Sequence, residues 1–375
     1  MTKVDTIFCN YSTDIPTGLL KHFCNSTLSE EQYNTNLQTL LSYYLSTNQI
    51  TKWLKYVIRK ELEETKRSSD QFMKRDSVYS KCIKTIIQKE GELFLQKAKE
   101  IVLSSITENK TKLVIGKLSH PGVQKSLDKM KNIISRITDL IISSTFSSFI
   151  GLFINLTLSE LKKKFQEKDI IIMRRYLLVS FISSYLMDDE SVKTHTMNGD
   201  SLRSVIVVFQ WFSDPQGFNL KKKLSDSMTG TSIEYDEKDE DDWRNYLKTF
   251  CAEKREMIDT KLNSFRNDEE FRINEIQIEW VDMKLKETIE KRLDNEWKEI
   301  QKLVSSESAL VLQLQFANES EVQQLYQKLF NDLQNLSENT QKEKIDLAQK
   351  MASMKTEIKD LEEEIKFLKE LLGSK

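Results

Sequence analysis

The sequence predicts an all-α protein: a multi-helix domain, then long helices that end in a coiled coil. Three observations predict it. The chain has nine glycines and three prolines in 375 residues, about 3 % against the roughly 12 % of an average chain. Apolar residues recur at i, i+3, i+4 and i+7 spacing, the period of a helix with one buried face. The C-terminal residues carry an uninterrupted apolar heptad. The scarcity of turn residues excludes a β-sandwich or barrel. It also argues against Rossmann and P-loop folds, whose phosphate loops are built from glycine.

The elements follow in order. Residues 1–29, with Asn, Ser, Thr and Pro16, read as an irregular segment. A first helix starts near Ser29, with a stripe of Leu37, Leu40, Leu41, Tyr44 and Leu45. Trp53–Glu64 is a second amphipathic run, and Glu64–Gln71 is polar. One helix reads from Ser77 to about Ile106, and Pro121-Gly122 marks a loop. Helices then read over Lys125–Thr145, Ser147–Gln166 and Asp169–Met187. Asp188–Asp200 is loop-like. The apolar run Ser201–Phe212 is closed by the turn signal Asp214-Pro215-Gln216-Gly217. These elements make a helical domain over 30–230. An acidic linker, 231–242, follows. From Trp243 onward there is no proline and one glycine, Gly373. That stretch divides into a helical extension, 243–342, and a coiled coil, 343–375.

The coiled coil rests on Leu347, Met351, Met354, Ile358, Leu361, Ile365, Leu368 and Leu372, spaced alternately 4 and 3. Such an a/d seam predicts a left-handed supercoil. The flanking charges leave the partner open. In a parallel pair of identical chains Glu364 meets Lys369, but Lys350 meets Lys355 and Glu357 meets Glu362. Antiparallel pairing, a different coiled-coil protein, or a fold-back on the same chain all remain. The narrowness of the seam favours a partner helix over burial in a globular core.

Composition limits the chemistry. The net charge is −2, from 56 basic and 58 acidic residues, without the positive excess of a nucleic-acid binder. Cys9, Cys24, Cys82 and Cys251 form no CxxC or Cys/His cluster, so free thiols in a reducing compartment are expected and no metal site. His22, His120 and His195 are widely separated, each more often a surface residue than a base. No hydrolase, protease or P-loop motif is present. No cofactor is expected, and the chain reads as a regulator rather than an enzyme. The start MTKVDTIFCN lacks a signal-peptide pattern, which points to the cytoplasm. Leu140–Leu158 is 19 residues without a charge, enough to span a bilayer. Seven of the 19 are Ser, Thr or Asn and no Trp or Tyr flanks them, so a buried helix is the better reading.

The middle of the chain resembles the Ras GTPase-activating (RasGAP) domain family. Phe72–Ile106, FMKRDSVYSKCIKTIIQKEGELFLQKAKEIVLSSI, is similar to the family's finger-loop segment: Ser77-Val78-Tyr79-Ser80-Lys81 sits at its S-L-A-S-K, and Gly91 with Phe94-Leu95 at its G…YL. Ile137–Ser144 resembles the helix before its L-P…LR turn, and Leu156–Phe165 its L…I..KF. Tyr176–Asp189 lies at the F-L-R-F-x-N-P-A-I helix, and Leu202–Asp214, with Phe209-Gln210, at the later L…K.LQ helix. Order and spacing agree over roughly residues 30–220. A helical domain followed by more helices is also similar to IQGAP-like members.

The resemblance implies a fold, a partner and a site. The partner would be a small GTPase of the Ras superfamily. Active members insert an arginine that stabilises charge on the transferring phosphoryl group. That position is Lys74 here, with Arg75 beside it. Lys66 and Arg67 would complete a cationic loop facing the GTPase, and Arg203 would join the docking surface. The arginine that steadies the finger in the family falls on Ser183 or Ser184, and its last-motif lysine falls near Val207. N-P-A-I is replaced by Met187-Asp188-Asp189. GTPase binding with weak activation is the expectation, with peripheral membrane recruitment compatible. The alternative is a coiled-coil scaffold, cytoskeletal or vesicle-associated, with no groove beside residues 66–76 and no GTPase-activating role.

Overall fold

The computed structural model describes all residues except 1–7, 26, 66–71, 74–76, 108–111, 121, 189–196, 219–239, 267–275, 317 and 374–375. Among the described residues every regular element is helical and no strand occurs. The chain divides into two units, Met1–Val304 and Ser305–Lys375.

The first unit opens with α1 (Ile15–Phe23), inside the segment expected to be irregular. Pro16 sits in its first turn, where a missing N–H costs nothing and the fixed φ favours the helix. α2 (Glu30–Ser46) starts at a capping box in which Ser29 and Gln32 satisfy each other's backbone N–H. α3 (Ile50–Glu64) follows a tight turn at Asn48, φ 56°.

The single helix expected from Ser77 to Ile106 is two, α4 (Val78–Glu90) and α5 (Glu92–Thr107), broken at Gly91. A Cβ on Gly91 would lie 2.4 Å from Phe181 Cζ, so close approach explains the glycine. α6 (Val123–Ser143) begins after Gly122 at φ +85°. α7 (Ser148–Phe165) is capped by Ser147, whose Oγ accepts the Ile150 N–H at 3.3 Å. The uncharged stretch Leu140–Leu158 is therefore not one helix: residues 144–147 separate α6 from α7.

α8 (Asp169–Arg175) continues through a π-helical stretch, Tyr176–Ser183, into α9 (Ser184–Met187). The run Ser148–Met187 is long and apolar enough to cross a membrane, but 56 % of its apolar window is buried inside the protein, as in the core helix of a globular domain. α10 (Met197–Ser213), α11 (Glu240–Ser264) and α12 (Lys286–Gln301) complete the unit. Most of the acidic linker lies outside the described residues, and its last three positions already belong to α11.

α3 packs between α7 and α4, α7 runs on to α8, and α10 lies against the π stretch. α11 packs along α6 and α8, and α12 along α1 and α2. The core holds Tyr43, Tyr44, Trp53, Phe149, Phe153 and Phe209, all fully buried. Tyr44 stacks on Trp53 at 5.1 Å and Phe94 on Phe181 at 5.9 Å. Such ring pairs add to area burial. Arg174, buried on α8, donates to both carboxylate oxygens of Asp259 at 2.5 Å and to the Ser213 carbonyl at 2.9 Å, tying α8 to α11 and to the end of α10.

The second unit contains α13 (Ser306–Phe316) and α14 (Glu319–Gly373), a helix of 55 residues. The expected coiled-coil segment is the C-terminal half of this longer helix.

Candidate functional site

The α3–α4 connection is the place where the sequence puts its cationic loop. Lys66, Arg67, Lys74 and Arg75 lie outside the described residues. What the structure describes is how that connection is anchored.

The anchor is Glu61, on the last turns of α3. Trp53, Leu54, Val57 and Ile58 form the helix's inner face. Glu61 stands three and four residues after the last two, so it points inward with them. It is fully buried. Its Oε1 accepts the Met73 N–H at 3.0 Å, and its Oε2 accepts the Ser77 hydroxyl at 2.5 Å. The Glu61 carbonyl in turn accepts the Thr65 hydroxyl at 2.6 Å. The Glu61 side chain thus ties the α4 end of the connection, at Met73 and the Ser77 cap, back to α3, while its backbone carbonyl holds the turn that leaves α3. Ser77 is that cap, its Oγ accepting the Ser80 N–H at 2.9 Å.

Met73 is fully buried and adopts φ 58°, a left-handed conformation costing a non-glycine residue about 1–2 kcal/mol. Hydrogen bonds to a charged acceptor contribute about 1.5–3 kcal/mol each, so the Glu61 contacts offset that strain. Phe72 is also buried, 6.3 Å from the Tyr176 ring on the π stretch. The residue immediately before Lys74 is therefore fixed in place. Burial pushes the Glu61 carboxyl above its ordinary value, and the Ser77 and Met73 donors reverse this only in part.

A second carboxylate beside this connection carries a surplus of cations. Glu160 on α7, nearly buried, accepts from Arg59 Nε at 2.9 Å and from Lys163 at 2.7 Å, with Lys55 at 3.9 Å. Burial alone would raise Glu160, but Arg59 and Lys163 hold it below the usual carboxylate range. Lys164, next on α7, donates to the Leu62 carbonyl. The neighbouring faces of α3 and α7 therefore combine one low-pKa carboxylate with several basic side chains.

The remaining candidates fall elsewhere. Ser183 is buried and donates to the Leu178 carbonyl at 2.7 Å. This i to i−5 contact serves the π stretch, and Ser183 does not reach outward. Ser184 is exposed. Arg203 on α10 pairs with Asp200 at 2.8 Å, which also takes Lys112 at 2.6 Å. The Lys112 bond chiefly, then Arg203, holds Asp200 below its ordinary value. α10 packs against the π stretch, but Ser183 and Arg203 make separate bonds. Val207 is buried, an apolar core residue where the family pattern has a lysine.

His22 is bonded to Glu296 at 2.6 Å, joining α1 to α12, and His195 lies outside the described residues. Cys24 and Cys82 are buried in this unit, as is Cys251, and burial pushes the Cys24 and Cys251 thiols up to about 12, which disfavours the thiolate form.

On α14 the seam from Leu347 to Ile365 is exposed. Leu368 and Leu372 lie on the same helix, their side chains outside the described residues. Glu61 is the site residue that sequence reasoning missed, because carboxylates on helices read as solvated charges. Its apolar phase on α3 was the available signal. No protein-family model matches the chain, and no curated protein matches it.

Proposed function

We propose that the protein is a cytoplasmic regulator of a small Ras-superfamily GTPase, acting in signal transduction. A RasGAP-like helical domain binds the GTPase, and α14 supplies coiled-coil pairing with a second copy or another protein. The observation that carries the reading is the Glu61 anchor. The connection that the family resemblance equates with the finger loop is tied back to α3 at its far end by a buried carboxylate, with Met73 held directly before Lys74. The family's arginine is absent from position 74. A lysine is a point charge without the planar fork, so the reading is binding with weak or no stimulation of GTP hydrolysis.

The second reading is a coiled-coil scaffold without GTPase-activating function, which the exposed α14 seam fits equally well. Pulldown against GTP- and GDP-loaded Ras, Rap and Rac separates the two. Retention of one GTPase in its GTP form supports the first. Retention of none in either form leaves the scaffold.

A further inference from the structure

The apolar face of α14 is longer than the seam that begins at Leu347. Tyr326, Phe330 and Leu333 are 63–65 % exposed, and they fall in the same heptad phase. The phase runs from Leu333 through Ser337, Thr340 and Lys344 to Leu347 without a skip, at spacings of 4, 3, 4 and 3. All of it lies on one uninterrupted helix. Nine apolar seam positions from Tyr326 to Ile365 are 51–65 % exposed. At about 100 Å² each they present roughly 900 Å², close to the ~800 Å² per partner of a standard interface. The exposed apolar positions form two stretches, 326–333 and 347–365, separated by the polar seam positions Ser337, Thr340 and Lys344.

We infer that α14 pairs with α14 of a second copy of this chain, parallel and in register, as a two-stranded coiled coil. Setting Met351 as position a places Ile358 and Ile365 at a and Leu361 and Leu368 at d, the arrangement that favours two parallel strands. The same phase places Lys344 at a. A lone lysine there fixes register and strand number at some cost in stability. In register, the polar block of Ser337, Thr340 and Lys344 meets its own copy and every apolar layer meets an apolar layer. A slip of one heptad sets Lys344 against Met351 or Ser337.

Antiparallel pairing does worse. Matching Lys344 with Thr340 of the other copy carries Leu368 and Leu372 past the start of the partner helix at Glu319. The flanking charges speak against the parallel form at Lys350–Lys355 and Glu357–Glu362, and for it at Glu364–Lys369. Their weight is small. An exposed charge pair changes an equilibrium constant by about fivefold at most, whereas burying one Leu or Ile side chain changes it roughly tenfold or more. Lys350 is also engaged within its own helix by Asp346, at 2.8 Å.

The proposal deepens the coiled-coil half of the function proposed above, and sedimentation with no GTPase present reads that half alone. In the full chain carrying Cys9→Ser, Met354→Cys is expected to sediment as a dimer near 10 µM and to form a 354–354 disulfide on mild oxidation. Adding Ile358→Asp and Leu361→Asp is expected to weaken association at least a hundredfold, with the thermal transition of Met1–Val304 unmoved. A monomer, or a trimer or larger assembly, overturns the proposal. So does a dimer that does not link at 354 while a mixture of Leu333→Cys and Met351→Cys chains links efficiently, which is the antiparallel signature.

Discussion

Glu61 accepts the Met73 N–H at 3.0 Å while its other carboxylate oxygen takes the Ser77 hydroxyl, so one buried side chain on α3 fixes both a buried residue of the following loop and the cap of the next helix. Removing the carboxylate orphans a buried N–H and frees the α4 cap. Glu61→Ala is expected to destabilise the fold by about 3 kcal/mol, the cost of unpaired buried donors. Trypsin should also cut faster after Lys74 or Arg75. Denaturant titration and timed proteolysis check both effects; an unchanged midpoint would mean that the contacts contribute nothing net.

The same carboxyl gives a pH signature. Burial raises its folded pKa above the unfolded value of about 4.5. The folded state then holds the proton more tightly than the unfolded chain. Stability is therefore greatest below the unfolded pKa and falls as pH rises through the window up to the folded value. Glu61→Gln keeps an acceptor for Met73 and a donor for Ser77 but cannot ionise. The difference in unfolding free energy between wild type and Glu61→Gln should shift in the variant's favour as pH is raised from 4 to 7. A difference that is flat with pH would contradict this sign.

Gly91 breaks what periodicity alone joins into one helix. The Phe181 ring occupies the space of its missing side chain and is itself stacked on Phe94, nearly parallel at 5°. The ring has no easy retreat, so Gly91→Ala is expected to cost about 1–3 kcal/mol, as overpacking does. Phe181→Leu should recover part of that loss in the double variant, because the two sites touch and need not add. Thermal unfolding of the two single variants and the double variant reads the coupling.

Most helices of the first unit were legible because they carry local signals, such as the Ser29 cap and the apolar phase of α6 to α8; α1 was not, because Pro16 read as a mark of irregular chain although it sits in a helical first turn. The bounds of α7 follow closely from such signals, and the helix read over Asp169–Met187 is α8, the π stretch and α9 in succession. Three further features were not legible. The Gly91 break depends on Phe181, ninety residues away in sequence, so no local window contains its cause. The buried role of Glu61 depends on donors that reach it only after α4 folds back. The length of the α14 seam was hidden by Ser337, Thr340 and Lys344, which interrupt its hydrophobicity without interrupting its phase.

Arg174 and Asp259 join α8 to α11 by a bidentate contact, with Arg174 also bonded to the Ser213 carbonyl. Arg174 is buried, but Asp259 is partly exposed and also has Arg255 near it, so removing Arg174 should cost less than the roughly 3–5 kcal/mol of a fully buried pair. Arg174→Met should therefore destabilise, by about 2–3 kcal/mol. Arg174→Met with Asp259→Leu should recover much of the loss, because an apolar pair of similar volume can replace a buried ion pair. Guanidinium denaturation of the single and double variants is the measurement.

The finger position yields the sharpest functional prediction. In a RasGAP-like complex its charge acts where negative charge accumulates between the β- and γ-phosphates. It therefore appears in the rate of hydrolysis more than in affinity. Lys74 has the charge but lacks the bidentate fork. Of the two candidate support positions, Ser183 and Ser184, Ser183 spends its hydroxyl on the Leu178 carbonyl inside the π stretch. Wild-type protein is expected to bind the matching GTPase in its GTP form and to accelerate hydrolysis less than about a hundredfold, well short of the roughly 10³–10⁵-fold of an arginine finger. Lys74→Arg should raise the single-turnover rate with little change in affinity, and Lys74→Ala should lower whatever stimulation the wild type has. Arg75→Ala is the control for a loop shifted by one residue. If the wild type accelerates hydrolysis thousands-fold and neither alanine variant reduces it, the stimulating group is not in this loop, and the equation of residue 74 with the finger is wrong.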